Sequence, residues 1–147
     1  MSGCSLAYPA TLIPDREAGG FTVTFPDLPE AVTQGEDRRE ALKQAADCIE
    51  EAIAGRIRRG DVIPAPSKTR ARQAVVPVPP LIAAKAALYL AMREAGMSNV
   101  KLARQLGCNE KDVRRMLDPL HNSRISALEA ALQALGKRIV LTVANAA

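Results

Sequence analysis

Aromatic residues are scarce in this chain of 147 residues, since two Tyr, two Phe and no Trp make up only 3% of it. Proteins that bind single-stranded nucleic acids stack the bases on several exposed aromatic rings. An RNA-recognition module or a single-strand-binding platform is therefore not expected. At this length the chain can form one domain, or two small domains that are each close to the lower size limit for an independent core.

Long apolar runs and patterned cysteines are also missing. No run approaches the roughly 18 apolar residues of a membrane span, and the N-terminus lacks the charged-then-apolar pattern of a signal peptide. The three cysteines, Cys4, Cys48 and Cys108, are odd in number and too widely spaced for a disulfide framework or a zinc-type pair. We expect reduced thiols, a cytoplasmic location, and neither a bound metal nor another cofactor.

The net charge of +4 conceals a strong asymmetry along the chain. Residues 1–55 carry four bases against ten acids, a net charge of −6. Residues 56–77 carry six bases against one acid, and residues 78–147 carry ten bases against five acids, so each of these segments has a net charge of +5. An acidic front and a basic back predict two different partners.

Short stretches of alternating residues predict strands in the first 78 residues. Tyr8–Ile13 and Phe21–Phe25 are expected to form a hairpin, because Asp15–Gly20 supplies turn residues between them. Ala31–Gln34 predicts a third short strand, and Ala74–Val78 predicts a fourth.

A long helix is predicted between the third and fourth strands. Asp37 and Glu40 form an Asp variant of the capping box, which opens a helix. Apolar residues then recur every three or four positions until Gly60, namely Leu42, Ala45, Ala46, Ile49, Ala52, Ile53 and Ile57. Such a helix must cover one face of a small sheet. The order β-β-β-α-β predicts an α+β domain over residues 1–78.

Nearly everything after Pro79 and Pro80 is predicted to be helical. Four helices are expected, at residues 81–95, 99–106, 110–117 and 125–135. The alternating tail Arg138–Val143 predicts a terminal strand. Because it has no strand neighbour among four helices, this tail is expected either to pair with another chain and help dimerisation, or to pack within its own chain. Residues 79–147 are thus predicted to be a second, all-α domain with a terminal strand.

The segment Asn99–Asp118 fits a helix-turn-helix. Ala103 supplies the small residue needed where the two helices cross, and Gly107 tolerates the positive φ of the turn. The outer face of the second helix carries polar side chains where a reader of the DNA major groove needs them. The candidate DNA-binding residues are Asn99, Asn109, Glu110, Lys111, Arg114, Arg115, Asn122 and Ser123. The alternative is a helical bundle whose basic face is only solvated.

The front half resembles the HicB antitoxin family. The resemblance covers roughly residues 6–78 and rests on YPATLI at residues 8–13, GGFTVTFPDLPEAVTQGED at residues 19–37 and EALKQAADCIEEAI at residues 40–53. The back half resembles the Cro/repressor-type helix-turn-helix that many of these antitoxins carry, including the trailing ALGKRIVL.

This resemblance implies a fold and a function for each half. The front domain would be degenerate RNase H-like and would bind and occlude a small basic HicA-type ribonuclease toxin. The candidate toxin-binding residues are the acids Asp27, Glu30, Glu36 and Asp37. The back domain would bind operator DNA as a homodimer or higher homo-oligomer and repress the operon that encodes the pair.

Other interpretations start from the same residues. An active nuclease is not expected. An RNase H site gathers carboxylates around magnesium. Of the available Asp15, Asp27 and Asp47, the first falls in a turn and the second in a loop between prolines. A stand-alone transcription regulator whose front domain senses a small molecule is the main alternative. Glu110 either accepts a hydrogen bond from a cytosine amine or stabilises the N-terminus of its helix.

Overall fold

The computed structural model describes Gly3 and residues 5–146, so Cys4 lies outside the described residues. The described residues fall into two units. The first unit comprises those through Gly55 together with Pro64–Pro79, and the second comprises Arg56–Ile63 together with those from Pro80 onward. None of the helices in the described part of the chain is both long and apolar enough to cross a membrane.

The sheet of the first unit is antiparallel throughout and has the order β3-β2-β1-β4. Its strands are β1 (Ala7–Pro14), β2 (Phe21–Thr24), β3 (Val32–Gly35) and β4 (Gln73–Pro77). Tyr8, Ala10 and Val23 alternate onto the buried side and are fully buried. The four predicted strands are confirmed, each to within one residue of its expected ends.

A single helix, α1 (Arg38–Arg59), follows β3. Asp37 starts it, since its Oδ1 accepts a hydrogen bond from the Glu40 amide at 2.8 Å. The Glu40 carboxylate accepts in turn from the Glu36 amide at 2.8 Å, one residue further back than in an ordinary capping box. The helix buries one apolar side, formed by Ala41, Ala45, Ile49, Ala52, Ile53 and Ile57. The predicted helix is therefore confirmed.

Four helices make up most of the second unit: α2 (Pro80–Ala95), α3 (Asn99–Leu106), α4 (Glu110–Leu117) and α5 (Ile125–Ala134). They share a core of Ala84, Leu88, Ala91, Met92, Leu102, Ala103, Val113, Leu128, Ala131 and Leu132. Residues 60 and 61 are tied to α2, because Tyr89 donates to the Asp61 carbonyl and Arg93 donates to the Gly60 carbonyl, both at 2.7 Å. The four-stranded sheet and the helices that follow it confirm the mixed α+β class.

The connection between α3 and α4 is a tight turn at Gly107. Gly107 has a φ of +70°, which a residue with a Cβ rarely adopts. The Cys108 amide donates to the Ala103 carbonyl at 3.0 Å, which closes the end of α3. Ala103 itself is buried in the shared core. The small residue and the turn glycine thus occupy the positions expected of them.

The tail 138–143 forms no strand within the single chain, and its pairing with another chain stays a prediction. Residues 138–143 form neither a strand nor a helix, and the sheet of the described residues contains only β1 to β4. A strand is defined by hydrogen bonds to a neighbour, and no strand of the second unit is available to this tail. Ile139 packs against the core of the second unit. Val140, Leu141 and Val143 are 78%, 74% and 88% exposed.

Candidate functional sites

The solvent side of α4 carries three cationic side chains. Lys111, Arg114 and Arg115 are exposed, while Val113 on the opposite side is fully buried. Met116 also packs against the core of the second unit. The helix is therefore held by its apolar side and presents its cations outward, an arrangement that can contact an anionic surface.

Hydrogen bonds within the chain occupy the N-terminal end of this site. Asn109 caps α4 by accepting from the Asp112 amide at 3.0 Å, and the Asp112 carboxylate accepts from the Asn109 amide at 3.2 Å. The Glu110 carboxylate pairs with Arg114 Nε at 3.0 Å and accepts from the side-chain Nδ2 of Asn99 at 3.5 Å. Four of the candidate DNA-binding residues, Asn99, Asn109, Glu110 and Arg114, thus make contacts within the chain, and Glu110 already has a cationic partner.

The C-terminal end of the site is the loop between α4 and α5. Asn122 is exposed there. Ser123 is half-buried, and its hydroxyl accepts from Lys85 Nζ at 2.7 Å and donates to the Arg115 carbonyl at 3.2 Å. The Ser123 side chain therefore joins the loop to α2 and to the end of α4 by hydrogen bonds.

A second candidate site lies in the first unit, among the acids of residues 27–37. Glu30, Glu36 and Asp37 are exposed. Asp27 is half-buried, and its carboxylate accepts from the Ser67 amide and hydroxyl at 2.9 and 3.0 Å. Three exposed carboxylates within eight residues can contact a basic surface.

Of the three acids considered for a nuclease site, two are hydrogen-bonded within the chain and one is exposed on a helix. Asp15 closes the β1–β2 turn by accepting from the Glu17 and Ala18 amides at 3.0 Å each. Asp27 is bonded to Ser67, and Asp47 is exposed on α1. Across the described residues, no group of three or more His, Cys, Asp or Glu is placed to hold a metal ion.

A family model described as "HicB_like antitoxin of bacterial toxin-antitoxin system" matches residues 7–87. The matched segment contains the whole sheet, α1 and the first half of α2. The chain belongs to the HicB-like antitoxin family. Membership implies a toxin partner, and it fits the expectation of a toxin-neutralising regulator that is not an enzyme.

Relatives match this HicB-like chain over nearly its full length. It is 34% identical to Antitoxin HicB of Escherichia coli strain K12 over 138 residues, which cover 94% of this chain and 99% of that protein. It is 37% identical to Antitoxin HicB 2 of Photorhabdus laumondii, with 93% and 96% coverage. It is 35% identical to Antitoxin HicB of Pseudomonas fluorescens strain Pf0-1, with 95% and 96% coverage. These matches include α3, α4 and α5, beyond the segment that the family model covers.

Two residues that support the candidate sites of this HicB-like chain were not predicted. Ser67 holds Asp27 across 40 positions of sequence, and no local pattern indicates that bond. Lys85 is fully buried and donates to the end of α4. It is the only charged residue in the apolar stretch Leu81–Met92. That isolated charge is a signal by which it could have been found.

Proposed function

We propose that this HicB-like antitoxin binds and occludes a HicA-type ribonuclease toxin through residues 1–78, and represses its own operon by binding operator DNA through residues 79–147. Both activities would take place in the cytoplasm. Neither requires a catalytic step, since occlusion blocks the toxin and occupation of the operator blocks transcription.

The proposed DNA binding through residues 79–147 rests on the orientation of α4. Its apolar side is fixed in a shared core, the turn at Gly107 sets its start, and Lys111, Arg114 and Arg115 are exposed. In a helix-turn-helix the second helix enters the major groove with such residues, and arginine can bond guanine in a bidentate manner. A homodimer would place two such helices roughly 34 Å apart, one turn of DNA.

The negative charge of residues 1–55 supports the proposed binding of the toxin. Residues 1–55 have four bases against ten acids, and Glu30, Glu36 and Asp37 are exposed. A ribonuclease must attract RNA phosphates, so it offers a basic surface to an acidic partner. Electrostatic attraction would speed association, and the bulk of the first unit would keep RNA from the toxin.

Arg115→Ala separates the two proposed activities. The variant should bind DNA from upstream of its own coding sequence about 5- to 150-fold more weakly than wild type, as loss of one base contact worth about 1–3 kcal/mol predicts. It should still protect growing cells from a co-expressed HicA-type toxin. Gel-shift titration measures the first outcome, and growth on co-expression measures the second.

Arg16→Ala is the matched control, because Arg16 is an exposed arginine in the β1–β2 turn of the first unit. It should leave DNA affinity unchanged. Unchanged affinity in Arg115→Ala would remove Arg115 from the DNA-binding surface. A wild-type chain that binds DNA but gives no protection would instead favour the stand-alone regulator.

A further inference from the structure

One charged side chain is fully buried among the described residues. Lys85 lies in the middle of α2 with an exposure of 0%. Leu88, one turn further along α2, belongs to the shared core. A buried ammonium needs a hydrogen-bond acceptor for each of its three protons.

Three acceptors surround the Lys85 ammonium. Nζ donates to the carbonyls of Arg115 and Met116 at 3.0 Å each, and to the Ser123 hydroxyl at 2.7 Å. The two carbonyls belong to the last turn of α4, where carbonyl groups have no partner within the helix. A cation at this end is also favoured by the helix dipole. Lys85 therefore acts as a C-terminal cap supplied by another helix.

The same ammonium fixes the loop that follows α4. Ser123 donates from its hydroxyl to the Arg115 carbonyl at 3.2 Å, and His121 Nδ1 lies 3.1 Å from the same hydroxyl oxygen. Asp118 shapes the loop from its other end, since its carboxylate accepts from the Leu120 amide at 2.9 Å. The end of α4 and the loop are thus joined through one buried group.

Stability alone is a poor reason for a charge at this position. Burial lowers the pKa of Lys85, and the Asp118 carboxylate opposes that shift. Even a complete buried ion pair can often be replaced by apolar residues of similar volume without loss of stability, so a buried charge is weak evidence of a stabilising role. What a satisfied ammonium provides, and an apolar side chain does not, is a fixed direction for the carbonyl groups that it binds.

We propose that Lys85 is a positioning residue for DNA recognition, which fixes the C-terminal end of α4 and the loop 118–124 in the orientation that reads the operator. This inference rests on the proposed DNA-binding function. Lys85 itself touches no DNA. It acts through Arg115, whose backbone it holds and whose side chain is exposed.

The test compares full-length wild type with Lys85→Met, which keeps an unbranched side chain one atom shorter and removes its donors. Two labelled duplexes serve as probes: one from immediately upstream of the coding sequence, and one of the same composition in scrambled order. Fluorescence anisotropy is measured at a temperature where circular dichroism shows every variant to be folded. Lys137→Met is the matched control, since Lys137 is an exposed lysine of the second unit paired with Glu94.

Lys85→Met should lower the preference for the upstream duplex over the scrambled one by about 5- to 150-fold, the equivalent of one base contact. Binding to the scrambled duplex should change no more than in Lys137→Met, since both variants lose one charge. Lys85→Gln keeps N–H donors without the charge and should lose less of the preference. It provides the comparison if Lys85→Met does not fold.

The outcomes separate the inference from the function on which it rests. A wild-type chain with no preference between the duplexes overturns the proposed operator binding, and this inference with it. A clear wild-type preference that persists in folded Lys85 variants overturns the inference alone, because Lys85 would then serve only the packing of the second unit.

Discussion

The candidate contact residues differ in how many of their polar groups are already hydrogen-bonded within the chain. Short polar side chains lie close to the backbone and accept hydrogen bonds from amide groups. Asn109 accepts from the Asp112 amide at the start of α4, and Asp27 accepts from the Ser67 amide. Longer cationic side chains extend beyond that range, and Lys111 and Arg115 are exposed. At the scale of single residues, the cations are best placed to meet a partner, while the short polar groups shape the backbone that carries them.

The effect of the Glu30 charge on the Cys48 thiol can be tested by a single substitution. Burial and the Glu30 carboxylate raise the pKa of the Cys48 thiol. Only the thiolate reacts with iodoacetamide. Glu30→Gln should therefore move the pKa of Cys48 down towards its ordinary value and make alkylation faster at about pH 8. Mass spectrometry of the peptide that contains Cys48 measures the rate.

Glu36→Gln is the control for this experiment, because it makes the same change at another exposed glutamate of the first unit. It should leave the rate at Cys48 as in wild type. Equal rates in Glu30→Gln and wild type would show that burial alone sets the thiol's reactivity.

At the scale of elements, the junction between β3 and α1 is tightly constrained. Gly35 ends β3, and a Cβ at this position would overlap the backbone nitrogen and Cα of Ala41 in the first turn of α1. Glu36 and Asp37, two of the candidate toxin contacts, lie between them. The position of these acids therefore depends on a close backbone approach that only glycine permits.

Gly35→Ala should destabilise the first unit by roughly 1–3 kcal/mol, because the overlap is with backbone atoms and β3 or α1 must shift to relieve it. Native-state hydrogen exchange of the amides in β1 to β3 measures the loss directly. Gly3→Ala adds the same methyl group where nothing lies within 4 Å, and should have no effect. Equal protection in Gly35→Ala and wild type would mean that the junction yields at little cost.

At the scale of the whole molecule, acids dominate residues 1–55 and bases dominate residues 56–147. This separation suits two partners of opposite charge, a basic toxin and anionic DNA. The tail adds a third surface, since Val140, Leu141 and Val143 are largely exposed next to Ile139, which packs on the core of the second unit. Adjacent exposed apolar residues of this kind favour contact with another chain.

If the tail forms the proposed dimer, replacing Val140, Leu141 and Val143 together by serine should shift the chain from dimer to monomer in sedimentation velocity. Operator affinity should fall in parallel, because two half-sites would no longer be bound as a unit. Val62→Ser is the control, since Val62 is 70% exposed but lies between α1 and β4, far from the tail in sequence. A variant that remains dimeric would assign the dimer contact to another surface.

Local patterns in the sequence determined the elements of this protein. The alternation of Phe21–Thr24, the cap at Asp37, and the turn glycine at position 107 each act within about one helical turn or one hairpin, so the strands and helices could be predicted closely. The charge asymmetry and the exposed cations of α4 follow from the same local information.

Tertiary structure decided what those elements bind within the chain. Lys85 reaches carbonyls about 30 positions away, and Asp27 reaches Ser67 across 40 positions, so neither partner can be inferred from spacing. The tail Arg138–Val143 has the alternation of a strand but has no strand neighbour within the chain, so it forms no strand there. Periodicity is a property of a segment, whereas a hydrogen-bond partner is a property of the folded chain, and only the latter decides which polar groups are free to meet another molecule.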